Sequence, residues 1–295
     1  MASTFSGMEH FVRESELLAP YTWLRLGGPA QYFAEPTTID ELAELVRRCR
    51  EQELPVRLLG GGSNILAPDQ GVSGVVIHLS APEFSRISVR EQTLIAAGGA
   101  QLSHLISTAV REGLGGLETM AGVPGRVGGA LHGNAYGHTG DIGQWTSRAT
   151  VMTRDGEILT RSREEMHFAH QESSLDELVI LDAEFALEPE SPEELTRKLQ
   201  KLWIVKRAAI PTSDQNTAAL FKDHAGVSAS SLIEQAGLKN AHLEEVEVCS
   251  NHPNFVIAGA GADSGQVLEM ISMLQAGVKQ KLGIELEPAL DIWEA

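Results

Sequence analysis

Two glycine-rich segments hold the residue types best suited to binding an anion. The first is Leu59-Gly60-Gly61-Gly62-Ser63-Asn64-Ile65-Leu66. Glycines directly after an apolar run let backbone N–H groups approach a ligand with no side chain in the way. Ser63 and Asn64 add polar contacts, and the whole suits a diphosphate. The second is Ala121-Gly122-Val123-Pro124-Gly125-Arg126-Val127-Gly128-Gly129-Ala130, followed by Gly133-Asn134. Its backbone can lie flat against a planar ligand or against phosphates. Neither segment matches the G-x-G-x-x-G dinucleotide fingerprint or the G-x-x-x-x-G-K-[ST] loop. Taken singly, each reads equally well as a tight turn, as does Gly259-Ala260-Gly261. Lys206, Arg207 and Lys222 are cations that could meet a diphosphate, and each also reads as a solvated surface charge. His242, Cys249 and His252 fit no zinc-ligand spacing, so no metal is expected there.

The elements that must carry these segments alternate between strand and helix. Residues 37–52 read as a helix, with Thr37 or Thr38 as cap, Asp40 and Glu41 at its positive end, and Ile39, Leu42, Leu45 and Val46 on one face. Val56 to Leu59 is then a strand running into the first glycine segment. Gly74 to Leu79 and Thr93 to Ala97 follow as strands, and Leu102 to Glu112 as a helix. Further on, Val151 to Leu159 reads as a hairpin turning at Asp155-Gly156, and Leu178 to Leu187 as a strand. Ser191-Pro192-Glu193-Glu194 opens a helix running to about Arg207. After Pro211 come a polar loop, a short helix around Ser230 to Gly237, the strand Phe255 to Ala258 and a helix from Ser264 to Leu282. The alternation favours an α/β class with mixed sheets.

Composition bounds the function. The 295 residues include 23 Lys and Arg against 40 Asp and Glu, a net charge of −17, with 42% apolar residues. That much apolar material supports packed cores, and the length suits two or three domains. The acidic balance, with no basic run, speaks against nucleic acid. Two cysteines, Cys49 and Cys249, read as ordinary thiols of a reducing compartment. No apolar stretch approaches the roughly 18–20 residues that span a bilayer, and the first residues do not read as a signal peptide. The expectation is a cytoplasmic protein.

Several further segments carry a resemblance. They are Thr22-Trp-Leu-Arg-Leu-Gly-Gly-Pro-Ala30, Gly116-Leu-Glu118, Ser231-Leu-Ile-Glu-Gln-Ala-Gly-Leu-Lys239, His252-Pro-Asn-Phe255 and Gly283-Ile-Glu-Leu286. With the two glycine segments, in this order and over nearly the whole chain, they resemble the UDP-N-acetylenolpyruvoylglucosamine reductases (UDP-N-acetylmuramate dehydrogenases) of the shorter subtype. The resemblance implies an α+β fold. A two-part FAD-binding module of the vanillyl-alcohol-oxidase (PCMH-like) kind would occupy residues 1–80 and 81–208. A smaller α+β substrate-type domain would follow over 209–282, and residues 283–295 would form a strand returning to the FAD module. It implies FAD held by Gly60, Gly61, Gly62, Ser63, Asn64 and Ile65 and by Gly122, Val123, Pro124, Gly125, Gly128, Gly129 and Asn134. It further implies NADPH as electron donor, a UDP-sugar as small-molecule partner with Lys206 and Lys222 beside it, and a place in peptidoglycan precursor synthesis.

The same resemblance exposes a departure. The family's reaction adds hydride to the methylene carbon of an enolpyruvyl ether. An Arg and a Glu hold the developing negative charge, and a Ser supplies the proton. Those three positions fall on Ala169, Ala289 and Ala219, and the Tyr that precedes the Arg falls on Phe168. A lost general acid typically costs about 10²–10⁴ in rate, and one lost charge-stabilising donor about 3–4 kcal/mol. Thr217, His167, His170, Glu287 and Asp291 are neighbours that could stand in, but a shift of two strand residues moves a side chain ~6–7 Å. The sugar-nucleotide positions depart too. Ala258, Asn240 and His224 replace Asn, Gly and Pro, and Leu243-Glu244-Glu245 adds two carboxylates where the family has small residues. Three readings follow: an FAD-binding pseudoenzyme of the reductase family, a working reductase with relocated acid groups, and a non-enzymatic interaction scaffold.

Overall fold

The structure, a computed structural model, describes residues 4–137, 139–209 and 216–295, with the side chains of 206–209 outside the described set. The chain divides into two compact units. One comprises Met1–Glu14, Tyr32–Gly60 and Gly74–Lys206; the other comprises Ser15–Gln31, Gly61–Ser73 and Arg207–Ala295. The break at 206/207 lies beside the expected boundary at 208/209, whereas the expected boundary at 80/81 falls inside the first unit.

The first unit has two cores. One is built on the helix Ile39–Glu51. Thr38 Oγ1 accepts from the Glu41 N–H, Asp40 and Glu41 occupy the positive end, and Leu42, Leu45, Val46 and Cys49 are buried. This face packs with Phe33-adjacent Ala34, Val75, Ile77 and Leu79. Truncating Leu42, which is fully buried, would cost about 2–5 kcal/mol. The strand Val56–Leu59 runs parallel to Val72–His78 in a register that sets Leu59 opposite His78. The second core lies on a five-stranded antiparallel sheet ordered Ile158–Ser162, Thr146–Met152, Val179–Ala186, Thr93–Ala97, Ile87–Arg90. The helix Leu102–Arg111 buries Leu102, Leu105, Ile106 and Ala109 in that core.

The second unit is an α+β layer. Its sheet has the antiparallel order Thr217–Ala219, Phe255–Ala258, Val246–Val248, His242–Leu243. The helices Ala229–Gln235 and Ser264–Leu282 cover it with Leu232, Ile233, Val267, Met270, Ile271 and Leu274. Asp263 and Gln266 form a capping box at the start of the long helix, and Gly283 at φ 71 ends it. The C-terminal segment differs from the expected strand over 283–295. Only Asp291–Ile292 is strand, parallel to Ile65–Leu66, with an isolated bridge between Pro288 and Phe221. Proline has no N–H to give a ladder, so regular pairing cannot run through residue 288.

Candidate functional site

In the first unit the second glycine segment wraps the N-terminal turn of a short helix, Val127–His132. Gly122 (φ 75) and Gly125 (φ 108) take backbone conformations that side chains rarely adopt. The helix start is stitched to a neighbouring backbone run: Val127 N–H donates to Ala100 O at 2.9 Å and Gly128 N–H to Gly98 O at 2.7 Å. A Cβ on Gly128 would sit 3.1 Å from Gly98 O, so that glycine serves close packing.

Asn134, expected against the cofactor, is instead fully buried, at φ 40. Its Nδ2 donates to Ala169 O at 2.6 Å and its Oδ1 accepts from Gly143 N–H at 3.1 Å. An amide so engaged has no route to a ligand and acts through the backbone it holds. That backbone is the two-residue hairpin Phe168–Ala169 with Glu172–Ser173, in which the Ala169 methyl is exposed. Phe168 packs so tightly under Gly143 that a Cβ there would lie 2.3 Å from its ring. His170 stacks edge-on to Tyr136 at 5.8 Å.

In the second unit the segment Gly61–Asn64 is held by a different set of contacts. Gly62, at φ 66, accepts from Trp23 N–H at 2.9 Å, and a Cβ on it would sit 2.0 Å from Tyr21 O. Asn64 is exposed, and its Nδ2 donates to Ala289 O at 2.8 Å. Ala289 N–H in turn donates to Leu220 O at 2.8 Å, which brings Ala289 beside the Leu220–Phe221 peptide, one residue beyond Ala219. Leu220 N–H donates to Asn254 O, and both ends of the Asn254 amide clasp the Phe221 backbone. The His252-Pro-Asn-Phe255 motif thus serves to fix residues 219–221. Lys222, expected beside a UDP-sugar, is ion-paired with Glu287. Lys206 and Arg207 have side chains outside the described residues. Of the other neighbours, Asp291 Oδ2 accepts from Trp293 Nε1–H at 2.9 Å, and Thr217 is buried. Glu244 lies at a hairpin turn with φ 49, its carboxylate bonded by Gln266.

Fit with FAD can be tested on two glycines. A Cβ on Gly60 or on Gly129 would meet nothing within 4 Å, and neither residue has positive φ. Neither packing nor backbone conformation therefore calls for glycine there, whereas a ligand lying flat on the chain does. Each expected loop contributes one such position, so the residues present fit the group.

One residue of the second loop was not singled out from the sequence. Arg126 Nη1 donates to Gly99 O at 2.6 Å, and its Nη2 lies 3.4 Å from His78 Nε2. His78 Nδ1 meets Glu35 Oε1 at 3.0 Å, and Glu35 also takes Ser80 Oγ–H and Arg13. Burial pushes the Arg126 guanidinium below its usual range, with no acid countering it. Burial also lowers the His78 imidazole, partly offset by its bond to Glu35. The signal was available: Arg126 is the one Lys or Arg within Leu59–Leu66 and Ala121–Asn134. Elsewhere, burial lifts the Cys49 thiol to about 12. Among the described residues no cluster of three or more His, Cys, Asp or Glu could hold a metal ion, and no helix is long and apolar enough to cross a membrane.

Loops of this kind on an α+β scaffold define an FAD-binding protein, and residues 30–162 match the FAD binding domain family. Residues 210–293 match the C-terminal domain of UDP-N-acetylenolpyruvoylglucosamine reductase. The chain is 38% identical over 284 residues to the UDP-N-acetylenolpyruvoylglucosamine reductase of Rhodopirellula baltica, covering 96% of this chain and 93% of that one. It is 36% identical to UDP-N-acetylenolpyruvoylglucosamine reductase 2 of Symbiobacterium thermophilum, over 96% and 92%. The crystal structure of the Thermus caldophilus reductase superposes with a TM-score of 0.83 at 31% identity, covering 96% of this chain and all of that one. The chain belongs to the UDP-N-acetylenolpyruvoylglucosamine reductase family, as an FAD-binding member.

Proposed function

We propose that this protein binds FAD and takes electrons from NADPH in the cytoplasm, but does not complete the reduction for which its relatives are named. The observation that carries this reading is the pair Ala219 and Ala289. Ala289 N–H donates to the carbonyl of Leu220, the residue after Ala219, and the family resemblance would put a hydroxyl at 219 and a carboxylate at 289. Bound FAD would supply hydride transfer, and the glycines at 60 and 129 would hold it. Methyl groups can neither deliver a proton to a developing carbanion nor stabilise its charge.

Substitutes close by are committed elsewhere, which supports the same reading. The Glu287 carboxylate is neutralised by Lys222, Asp291 accepts from the Trp293 indole, and Thr217 is buried. With Lys222 so paired, a UDP-sugar loses one of its two expected cations.

A second reading, a working reductase of peptidoglycan precursor synthesis, is favoured by the full-length 38% identity to a protein named for that activity. It requires Thr217 to supply the proton and Glu287 or Asp291 to leave its partner and stabilise the developing charge.

The test is the visible spectrum of the purified full chain, repeated under anaerobic NADPH. The expected result is a flavin band that bleaches. A chain that takes up no flavin even when incubated with FAD would overturn the proposal in favour of an interaction scaffold.

A further inference from the structure

The glycine loops present an electrostatic problem that points to a cofactor contact. FAD carries a doubly charged diphosphate, and this chain has a net charge of −17. Backbone N–H dipoles help an anion, but charge-assisted bonds are roughly twice as strong. Of the cations read from the sequence, Lys222 is paired with Glu287, and the side chains of Lys206 and Arg207 lie outside the described residues.

Arg126 answers it. It lies inside the second glycine loop, half-buried, and forms no ion pair among the described residues. Its two bonds go to a carbonyl, Gly99 O, and to an imidazole, His78 Nε2. Of the five N–H groups of a guanidinium, these account for two. A desolvated cation without a counter-charge is costly, and a stable chain keeps one where an anion arrives to balance it. The acid nearest along this line of bonds is Glu35. It sits behind His78 and is already occupied by His78, Ser80 and Arg13.

The same contacts aim the guanidinium. Glu35 accepts from His78 Nδ1–H, which leaves Nε2 as an acceptor toward Arg126; this tautomer follows from the bonding pattern. His78 is in register with Leu59, the residue before Gly60. The line Glu35–His78–Arg126 therefore sets the cation of one loop beside the start of the other, at Gly60, where a Cβ would meet nothing.

We infer that Arg126 is a cofactor-binding residue that meets the diphosphate of FAD, and that His78 and Glu35 are positioning residues that hold its guanidinium toward Gly60. This rests on the FAD reading above.

The experiment compares deflavinated full-length protein with its R126M and R126K variants, measuring FAD affinity by fluorescence quenching and the melting temperature of each flavin-free form. The expected result for R126M is FAD binding weakened about 10- to 100-fold, the worth of a charge-assisted bond. The flavin-free R126M should melt at or above the wild-type temperature, because an unbalanced buried charge has been removed. R126K should recover most of the affinity. A purely structural clamp predicts the reverse, a lower melting temperature with FAD affinity unchanged, and that result overturns the inference. So does equal weakening in R126M and R126K. Wild-type protein that binds no FAD would instead sink the underlying reading, an outcome visible before any variant is made.

Discussion

The two glycine loops look alike in sequence and are built on different physics. The loop of the second unit is exposed at Asn64 and tied outward, through that amide, to the backbone of Ala289. The loop of the first unit is tied inward, through the fully buried Asn134, to the backbone of Ala169. In both, an asparagine side chain grips the carbonyl of an alanine, Ala289 in one and Ala169 in the other. Only the first unit's loop carries a cation, Arg126; in the second unit Lys222 is neutralised by Glu287. The comparison teaches that the framework for presenting a cofactor and the groups for proton chemistry are separable. In this chain the backbone at 169, 219 and 289 is held by such contacts, while the side chains there are methyls.

The largest effect should come from returning chemistry to the second unit. A219S/A289E restores a hydroxyl and a carboxylate at these two positions, and we expect enolpyruvate reduction to rise about 10²–10⁴-fold over wild type. Steady-state NADPH oxidation with product analysis checks this, and no gain would mean that more than the missing groups separates this chain from its relatives.

The contrast between the asparagines predicts unequal stability. N134A removes the bond to Ala169 O and leaves the buried Gly143 N–H without its partner, at a cost of about 1–3 kcal/mol, while N64A at the surface costs under about 1 kcal/mol. Chemical denaturation of both variants measures the difference, and equal losses would break the comparison.

A similar split is expected among the glycines of the first segment. G62A must overcome positive φ and a contact with Tyr21 O, destabilising by at least about 2 kcal/mol. G60A should leave the melting curve within about 0.5 kcal/mol of wild type and weaken FAD binding instead.

The smallest effect concerns pH. Burial lowers the folded-state affinity of His78 for a proton. Between its folded pKa and the ordinary histidine value the unfolded chain therefore binds more protons, and stability falls as pH drops through that window. Stability measured against pH should show this slope in wild type and lose part of it in H78Q.

Much of this was legible locally. Thr38 followed by Asp40 and Glu41 identifies the start of its helix, Asp155-Gly156 identifies a hairpin, and the long C-terminal helix spans Ser264–Leu282 as its sequence suggests. What was not legible depends on partners distant in sequence. Asn134 reads as a polar loop residue until its two partners, at 143 and 169, are seen. Lys222 reads as a free cation until residue 287 lies beside it. Arg126 reads as one more loop residue until Gly99 O and His78 Nε2, both distant in sequence, lie beside its guanidinium. The expected C-terminal strand ignored Pro288, whose missing N–H was visible in the sequence.

The central claim is that electrons can enter this protein but cannot leave by its relatives' route. The direct test is a single-turnover experiment. Flavin-loaded protein is reduced anaerobically with one equivalent of NADPH and mixed with UDP-N-acetylglucosamine enolpyruvate, and the flavin band is followed in time. The account predicts that the band stays bleached and no UDP-N-acetylmuramate forms. Prompt return of the band with stoichiometric product would contradict it.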